Sequence, residues 1–122
     1  MPIHVKFETP KDLQDQLIVT LEKARETGKI KKGTNETTKA IEKGKALLVV
    51  MAEDVEPPEV VAHLPILCKE KKVPYLYLPN KKQLGRAVGI EVSSAAIAVI
   101  EAGNAEKEIK GVADKLKTLG LN

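Results

Sequence analysis

The apolar run at residues 46–52, ALLVVMA, constrains the fold more than any other segment. Successive side chains of a strand point to opposite faces, so Val49 and Val50 can both be buried only if both faces of the sheet are covered. The run is also far shorter than the ~20 apolar residues that a membrane-spanning helix needs. It therefore predicts a central strand that is buried on both sides.

Segments with helical spacing of apolar residues alternate with short strands along nearly the whole chain. This alternation predicts an α/β domain with helices on both faces of a small central sheet. The predicted strands are 30–32, 46–52, 73–79 and 96–102. The predicted helices are one between Pro10 and Gly28, one over 34–43, one entered through Pro57 and Pro58, one over 81–88, and a last one after Asn104.

Three residues are expected to set helix boundaries. Thr9 is the expected N-cap of the first helix, with Pro10 at its first helical position. Pro65 should bend or break the third helix, because proline lacks a backbone donor and clashes with the preceding turn. Asn104 is expected to cap the last helix.

The chain has 122 residues, which predicts one domain over 1–122. Its composition is typical of a soluble globular protein, with 43% hydrophobic and 30% charged residues. The N-terminus lacks the basic and then apolar layout of a signal peptide. Cys68 is the single cysteine, which excludes an internal disulfide and is typical of a reducing, cytoplasmic location.

Positive charge is concentrated at residues 31–45, KKGTNETTKAIEKGK. Five lysines and two glutamates give this stretch a net charge of +3, which equals the formal net charge of the whole chain. Such a local excess favours an anionic partner. A solvated lysine-rich face is the alternative.

Glu36 is the unusual residue of this basic stretch. On a helix, Glu36, Lys39 and Lys43 share one face, so Glu36 and Lys39 can form an ordinary surface ion pair. A carboxylate can also accept hydrogen bonds from N1–H and N2–H of guanine, while a lysine donates to O6. That edge of guanine is free in a sheared G·A pair, which favours irregular RNA. Both interpretations remain open at this point.

The low aromatic content argues against some classes of RNA-binding domain. Phe7, Tyr75 and Tyr77 are the only aromatic residues of the Phe, Tyr and Trp types. Modules that stack bases on aromatic platforms, such as RRM and OB domains, are therefore not expected.

The enzyme signals are weak. Residues 33–39, GTNETTK, have the position of a nucleotide-binding P-loop, but Thr38 replaces its second glycine and Ala40 replaces the hydroxyl that holds magnesium. His63 and Cys68 are five residues apart, so they do not share a helix face, and we expect a packed cysteine and a partly exposed histidine. The acidic stretch at 53–59 lacks the spacing of a calcium loop. No catalytic residue, metal site or cofactor is predicted.

Three blocks of the sequence carry a family resemblance. GTNETTKAIEKGKA (33–46) resembles the signature of the kink-turn RNA-binding ribosomal protein family, the L7Ae family, and is especially similar to its archaeal members. The blocks 52–79 and 80–99 resemble the next parts of the family in order and spacing. The resemblance implies a non-enzymatic, three-layer α/β/α sandwich with a small mixed central sheet.

The same resemblance implies roles for individual residues. Asn35, Glu36 and Lys39 would contact the guanines of tandem sheared G·A pairs, next to Gly33 and Thr34. Lys43, Lys45 and Arg86 would contact phosphates or nearby polar groups. Glu56, Val60 and Lys81 would border the pocket of a flipped-out nucleotide, and Ile90, Glu91 and Val92 would lie against the bulge. Some eukaryotic relatives have a basic residue where this chain has Val92.

The resemblance also implies partners: the RNA of the large ribosomal subunit, box C/D and box H/ACA guide RNAs, ribonuclease P RNA, and the proteins of these assemblies. The free protein is expected to be a monomer that holds RNA bent while its partners perform catalysis. Three alternatives stay open: a ribosome-only structural protein, a nucleotide-binding α/β enzyme, and an adaptor that binds a protein through its acidic 53–59 segment and lysine stripe.

Overall fold

A computed structural model describes residues 2–121. This part of the chain forms four β-strands and five α-helices, with short 3-10 turns at Pro58–Val60 and Gly103–Ala105. In chain order the elements are α1 (Lys11–Thr27), β1 (Lys29–Lys32), α2 (Thr34–Glu42), β2 (Leu48–Ala52), α3 (His63–Lys71), β3 (Tyr75–Leu78), α4 (Lys81–Ala87), β4 (Ala96–Glu101) and α5 (Glu106–Thr118).

The four strands form one mixed sheet in the order β1-β4-β2-β3. Strands β2 and β3 are parallel, and β4 is antiparallel to both β1 and β2. All five residues of β2 are buried, as the continuous apolar run predicts for a strand with both faces covered.

Helices cover both faces of this sheet. Helix α2 packs on α3, whereas α1 packs on α4 and α5. Leu13, Leu17 and Leu21 of α1 are fully buried, and each contributes about 1.5–3 kcal/mol through its removal from water. The predicted three-layer α/β/α sandwich with a mixed central sheet is confirmed.

The N-terminal segment before α1 covers the free edge of β3. The Tyr77 hydroxyl donates to the backbone carbonyl of His4 over 2.6 Å and accepts from the backbone N–H of Lys6 over 3.1 Å. The backbone N–H of Tyr77 donates to the Thr9 hydroxyl over 3.2 Å. The last of these bonds satisfies a backbone donor on the free edge of β3, and the other two hold the N-terminal segment against the Tyr77 side chain.

The predicted N-cap role of Thr9 is wrong. Helix α1 begins at Lys11 with Pro10 at the cap position, and no side chain caps it. Thr9 is buried and its hydroxyl accepts from Tyr77 in the neighbouring strand, so it is not available to the helix.

The predicted break near Pro65 is present but lies before the proline, and the predicted cap role of Asn104 is wrong. Pro65 is the third residue of α3, where a backbone N–H has no acceptor within the helix, so the helix runs on without a break. The preceding residues form the separate 3-10 turn at Pro58–Val60 instead. Asn104 lies within the second 3-10 turn, and α5 begins two residues later without a side-chain cap.

No helix within residues 2–121 is both long enough and apolar enough to cross a membrane.

Candidate functional site

Four strand ends meet at one end of the sheet, which we call the loop end. Strands β1, β2 and β3 finish there, and the antiparallel strand β4 begins there. The segments that follow or precede these ends are 33–36, 53–57, 79–82 and 89–95. We predicted from the strand order along the sequence that functional loops would occupy these segments, and the structure brings them to one side of the molecule.

Gly33 begins the turn from β1 into α2. Its φ of 98° is a conformation that side chains with a Cβ rarely adopt, although the space around it is open. The Gly33 N–H donates to the carbonyl of Ala96 over 2.9 Å, and its carbonyl accepts from the Thr37 N–H over 3.0 Å. The start of α2, which carries Asn35 and Glu36, is therefore fixed to the start of β4.

Lys81 ties two other loops to the start of α4. Its backbone N–H donates to the Asp54 carboxylate over 2.8 Å, and its carbonyl accepts from the Ser94 N–H over 3.0 Å. Asn80 caps the same helix, because its side chain accepts from the Gln83 N–H over 2.7 Å. The loops around residues 54 and 94 thus share one anchor.

The loop over Ile90–Val92 lies directly against α4. The Ile90 N–H donates to the carbonyl of Gly85 over 3.0 Å, and a Cβ at Gly85 would overlap the carbonyl of Val92. Glycine at position 85 is therefore required by close approach. The Val92 side chain remains 70% exposed and Val60 is 47% exposed, so both present apolar surface to a partner.

A groove of about 520 Å³ runs between α2 and the edge strand β1. We call it the lysine groove. Its lining contains five lysines and two glutamates, which give it a net positive charge: Lys29, Lys31, Glu36, Lys39, Ala40, Lys43, Lys45, Ile100 and Glu101.

Glu36 lies between two lysines of this groove. One carboxylate oxygen is 3.7 Å from Lys39 Nζ, and the other is 3.9 Å from Lys31 Nζ. Both distances are longer than a charged hydrogen bond, so neither oxygen is committed to a lysine as a hydrogen-bond acceptor. The side chain is 46% exposed. The two ammonium groups reduce the repulsion that the carboxylate alone would exert on a phosphate.

The structure separates the predicted site residues into three groups. Gly33, Thr34, Asn35, Glu56, Val60, Lys81, Ile90, Glu91 and Val92 lie in the loop-end segments or directly beside them. Glu36, Lys39, Lys43 and Lys45 line the lysine groove, with Lys43 and Lys45 beyond the last turn of α2. Arg86 is exposed near the end of α4 and does not line the groove.

Lys29 is a groove residue that we did not single out from the sequence. It lies two residues before Lys31 on β1, so the two side chains share one face of the strand. Lys29 Nζ is 3.4 Å from the carboxylate of Glu101, its pairing partner on β4. The two-residue spacing predicts that Lys29 and Lys31 lie on the same face of β1. It places Lys29 in the groove only when β1 is known to lie beside α2.

The other chemically suggestive residues form no reactive site. Cys68 is buried, and burial raises the pKa of its thiol to about 12, so it stays protonated at neutral pH. His63 is exposed and its Nε2 lies 2.8 Å from the Thr38 hydroxyl. The expectation of a packed cysteine is confirmed, and the histidine expected to be partly exposed lies on the surface. Within residues 2–121, no three histidine, cysteine or acidic side chains are grouped closely enough to hold a metal ion.

Comparison with known proteins identifies the class. Residues 15–109 match the sequence model of the Ribosomal protein L7Ae/L30e/S12e/Gadd45 family. Among solved structures, the chain is similar to the Giardia lamblia 15.5kD RNA binding protein, with a TM-score of 0.86 and 30% sequence identity. This similarity covers 98% of each chain.

The chain belongs to the L7Ae/L30e/S12e/Gadd45 family. The match covers most of the chain and includes the signature at 33–46, so the resemblance in the sequence is confirmed. The family and the structural neighbour are ribosomal-type and RNA-binding proteins rather than enzymes, which removes the nucleotide-hydrolysing alternative.

Proposed function

We propose that this protein binds kink-turn and kink-loop RNA, stabilises the sharply bent form and thereby nucleates ribonucleoprotein assembly. Family membership and the RNA-binding structural neighbour support RNA as the partner. The observation that carries the finer proposal is the position of Glu36, a half-exposed carboxylate with uncommitted oxygens inside a lysine-lined groove.

Glu36 supplies base recognition in this proposal. Its oxygens accept hydrogen bonds from N1–H and N2–H of a guanine in a sheared G·A pair, while Lys39 donates to O6. Lys39 lies one helical turn after Glu36, which places both groups on the same face of α2. Asn35 is exposed beside them and contacts the second guanine of the tandem pairs.

The lysines of the groove contact the phosphates that flank the G·A pairs. Lys43 and Lys45 extend the positive lining beyond the end of α2. Each lysine that neutralises a phosphate releases counterions, so the affinity should fall as salt rises. This attraction is independent of sequence, whereas the contacts of Glu36 select guanine.

The loop end receives the bulge of the kinked RNA. Glu56, Val60 and Lys81 border the pocket for a flipped-out nucleotide, and Ile90–Val92 contact the bulge. The exposed apolar surface of Val60 and Val92 supports this assignment, because unstacked bases bury their faces against apolar groups. Two hydrogen bonds of Lys81 hold these loops in place before RNA arrives.

Binding selects the bent conformation of the RNA from a mixture of bent and extended forms. The contacts exist only with the bent form, so their free energy shifts the population toward it. Kink-turns of the large ribosomal subunit, box C/D and box H/ACA guide RNAs and ribonuclease P RNA are the proposed targets. A protein confined to the ribosome is the second candidate, because ribosomal RNA presents the same motif.

The test compares a kink-turn RNA with the same RNA in which both G·A pairs are replaced by Watson–Crick pairs. Gel-shift titration should show tight binding of the first and at least about a hundredfold weaker binding of the second, since each lost base contact costs about 1–3 kcal/mol. Equal affinity for both RNAs would reduce the proposal to non-specific binding by a basic groove. Sequencing the RNAs that co-purify with the protein from cells separates the two candidates, because only the broad proposal expects guide RNAs or ribonuclease P RNA beside ribosomal RNA.

A further inference from the structure

A second surface lies at the opposite end of the sheet from the loop end. An apolar cavity of about 420 Å³ opens there beside the first residue of β3. Its floor combines residues from α3, β3, α5 and the turn before β3: Cys68, Val73, Pro74, Tyr75 and Ala113. Its remaining lining residues are all lysines: Lys69, Lys72 and Lys117.

A second, smaller cavity adjoins the first. It has a volume of about 230 Å³ and shares Lys69 and Tyr75 with its neighbour. Its other lining residues are Lys6, Phe7, Pro65, Ile66 and Leu121. Ile66 is 58% exposed, which is unusual for a large apolar side chain next to other apolar groups. We call the two cavities together the apolar–basic cleft.

The charged residues that line this cleft are all lysines. No acidic residue lines either cavity, although the chain contains 17 aspartates and glutamates. Within residues 2–121, Lys6, Lys69, Lys72 and Lys117 form no ion pair with a carboxylate.

We infer that the apolar–basic cleft docks a peptide segment of a protein partner, one that carries two apolar side chains flanked by aspartate or glutamate. Two adjoining cavities fit two successive apolar anchors of a peptide better than one compact small molecule. The four unpaired lysines fit acidic flanks, and like-charge repulsion would exclude basic peptides. This docking does not depend on the proposed RNA target.

The placement of the cleft allows RNA and peptide to bind together. The lysine groove lies beside the edge strand β1, whereas the cleft opens beside β3 at the other edge of the sheet, so β4 and β2 lie between the two surfaces. The lysine groove and the apolar–basic cleft share no lining residue. A partner protein on the cleft would therefore join the complex without displacing RNA.

The test selects peptides from a random phage-displayed library on the immobilised full chain, with excess transfer RNA present to occupy the lysine groove. The enriched sequences should combine acidic with large apolar residues. Synthetic peptides of these sequences should bind the wild-type protein in fluorescence anisotropy titrations. Lys69→Glu and Lys117→Glu should each weaken binding by at least about tenfold, because each reverses a charge at the rim.

Lys110→Glu is the matched control, because Lys110 is exposed on the same helix as Lys117 but lines neither cavity. This variant should retain wild-type affinity for the peptide. Lys69→Glu and Lys117→Glu both place a negative charge in the last turn of a helix, so the melting temperature should fall by a few degrees at most, and a cooperative thermal transition shows that the fold is intact. The inference is overturned if no acidic, apolar sequence is enriched, or if these two substitutions leave affinity unchanged. It is equally overturned if Lys43→Glu abolishes peptide binding, since the peptide would then occupy the lysine groove.

Discussion

The Asp54 carboxylate accepts a hydrogen bond from the backbone N–H of Lys81 over 2.8 Å. This bond joins the loop after β2 to the first residue of α4. A negative charge at a helix N-terminus also interacts favourably with the helix dipole. The bond therefore contributes to the stability of α4 and to the position of the proposed nucleotide pocket.

Asp54→Ala should destabilise the protein by about 1 kcal/mol, the usual cost of losing a side chain that satisfies a helix N-terminus. It should also weaken binding of kink-turn RNA, because Lys81 and the loop after β2 lose their shared anchor. Urea denaturation and gel-shift titration measure the two effects. Asp54→Asn retains an acceptor oxygen and should recover most of the stability. If Asp54→Ala loses no stability, the bond does not contribute as the geometry indicates.

Glu36→Ala should weaken kink-turn binding by about 1–3 kcal/mol, although it removes a negative charge from the surface that faces RNA. The reason is the loss of two acceptors for guanine, which the increase in positive charge does not replace. Glu36→Gln should also bind weakly, because its amide has only one acceptor oxygen. Isothermal titration at fixed salt measures the change.

Glu42→Ala is the control for Glu36, because Glu42 is exposed on the same helix but lies outside the lysine groove. It removes the same charge and should leave the affinity close to that of the wild type. Tighter binding by Glu36→Ala would show that the carboxylate only repels RNA.

Lys43→Ala and Lys45→Ala should each reduce the slope of log affinity against log salt by about 1, as expected for the loss of one phosphate contact. Lys29→Ala should do the same if RNA extends along the whole groove. Titrations at several salt concentrations provide the slopes. Lys107→Ala removes an exposed lysine from α5 and should leave the slope unchanged. Unchanged slopes in the groove variants would remove those lysines from the RNA-contacting set.

Thr37→Val should stabilise the protein by about 1 kcal/mol. Thr37 is fully buried in α2, and its hydroxyl has no hydrogen-bond partner within the described residues. An unsatisfied buried hydroxyl costs about 1–3 kcal/mol, and valine has nearly the same shape without it. Thermal unfolding measures the gain. Thr38→Val should not stabilise, because the Thr38 hydroxyl donates to the Thr34 carbonyl over 2.8 Å and also contacts His63.

Acid should weaken the packing of α1 against α5. The hydrogen bond from Lys115 lowers the pKa of Asp12 below its ordinary 3.8, and the hydrogen bond from Lys23 lowers the pKa of Glu108 below its ordinary 4.5. Because both pKa values are lower in the folded state, the ionised carboxyls stabilise the fold above pH 4–5. This contribution is lost as the pH falls through the lower, folded pKa values.

The melting temperature should therefore fall between pH 6 and pH 3 by a smaller amount in the double variant Asp12→Asn and Glu108→Gln than in the wild type. Asp114→Asn removes an exposed carboxylate that forms no ion pair within the described residues, and should not change the pH dependence. An identical acid response in the double variant and the wild type would contradict the assignment.

The layers of the fold could be predicted because hydrophobic periodicity identifies local structure and burial together. ALLVVMA predicts a strand covered on both faces, and β2 is that strand. The predictions for Thr9 and Asn104 failed because distant contacts decide their positions: the Thr9 hydroxyl is used by another strand, and Asn104 lies in a 3-10 turn that contacts the end of α1. Thr9 accepts from Tyr77, and Asn104 donates its N–H to the Thr27 hydroxyl over 2.8 Å.

The candidate site could be predicted only where its residues are close in sequence. Glu36 and Lys39 belong to one helix, so their three-residue spacing predicts that the two side chains lie on the same face. Lys29 and Glu101 meet across two antiparallel strands that are far apart in the sequence. The order of strands in the sheet, and with it the position of Lys29 in the groove, is a tertiary property that no local pattern encodes.

Strand β1 lies at the edge of the sheet opposite β3, and its sequence is KIKK. The N-terminal segment takes up the Tyr77 N–H on the β3 edge, which leaves β1 as the more open edge for the addition of another strand. Lysines on an edge strand oppose such addition through charge and hydration. The side chains that we assign to RNA thus also protect the unbound protein from aggregation. Replacement of Lys29 and Lys31 by neutral residues should therefore make the unbound protein aggregate more readily, even if the RNA affinity were retained. A redesigned groove must preserve both the RNA affinity and the charge of the edge strand.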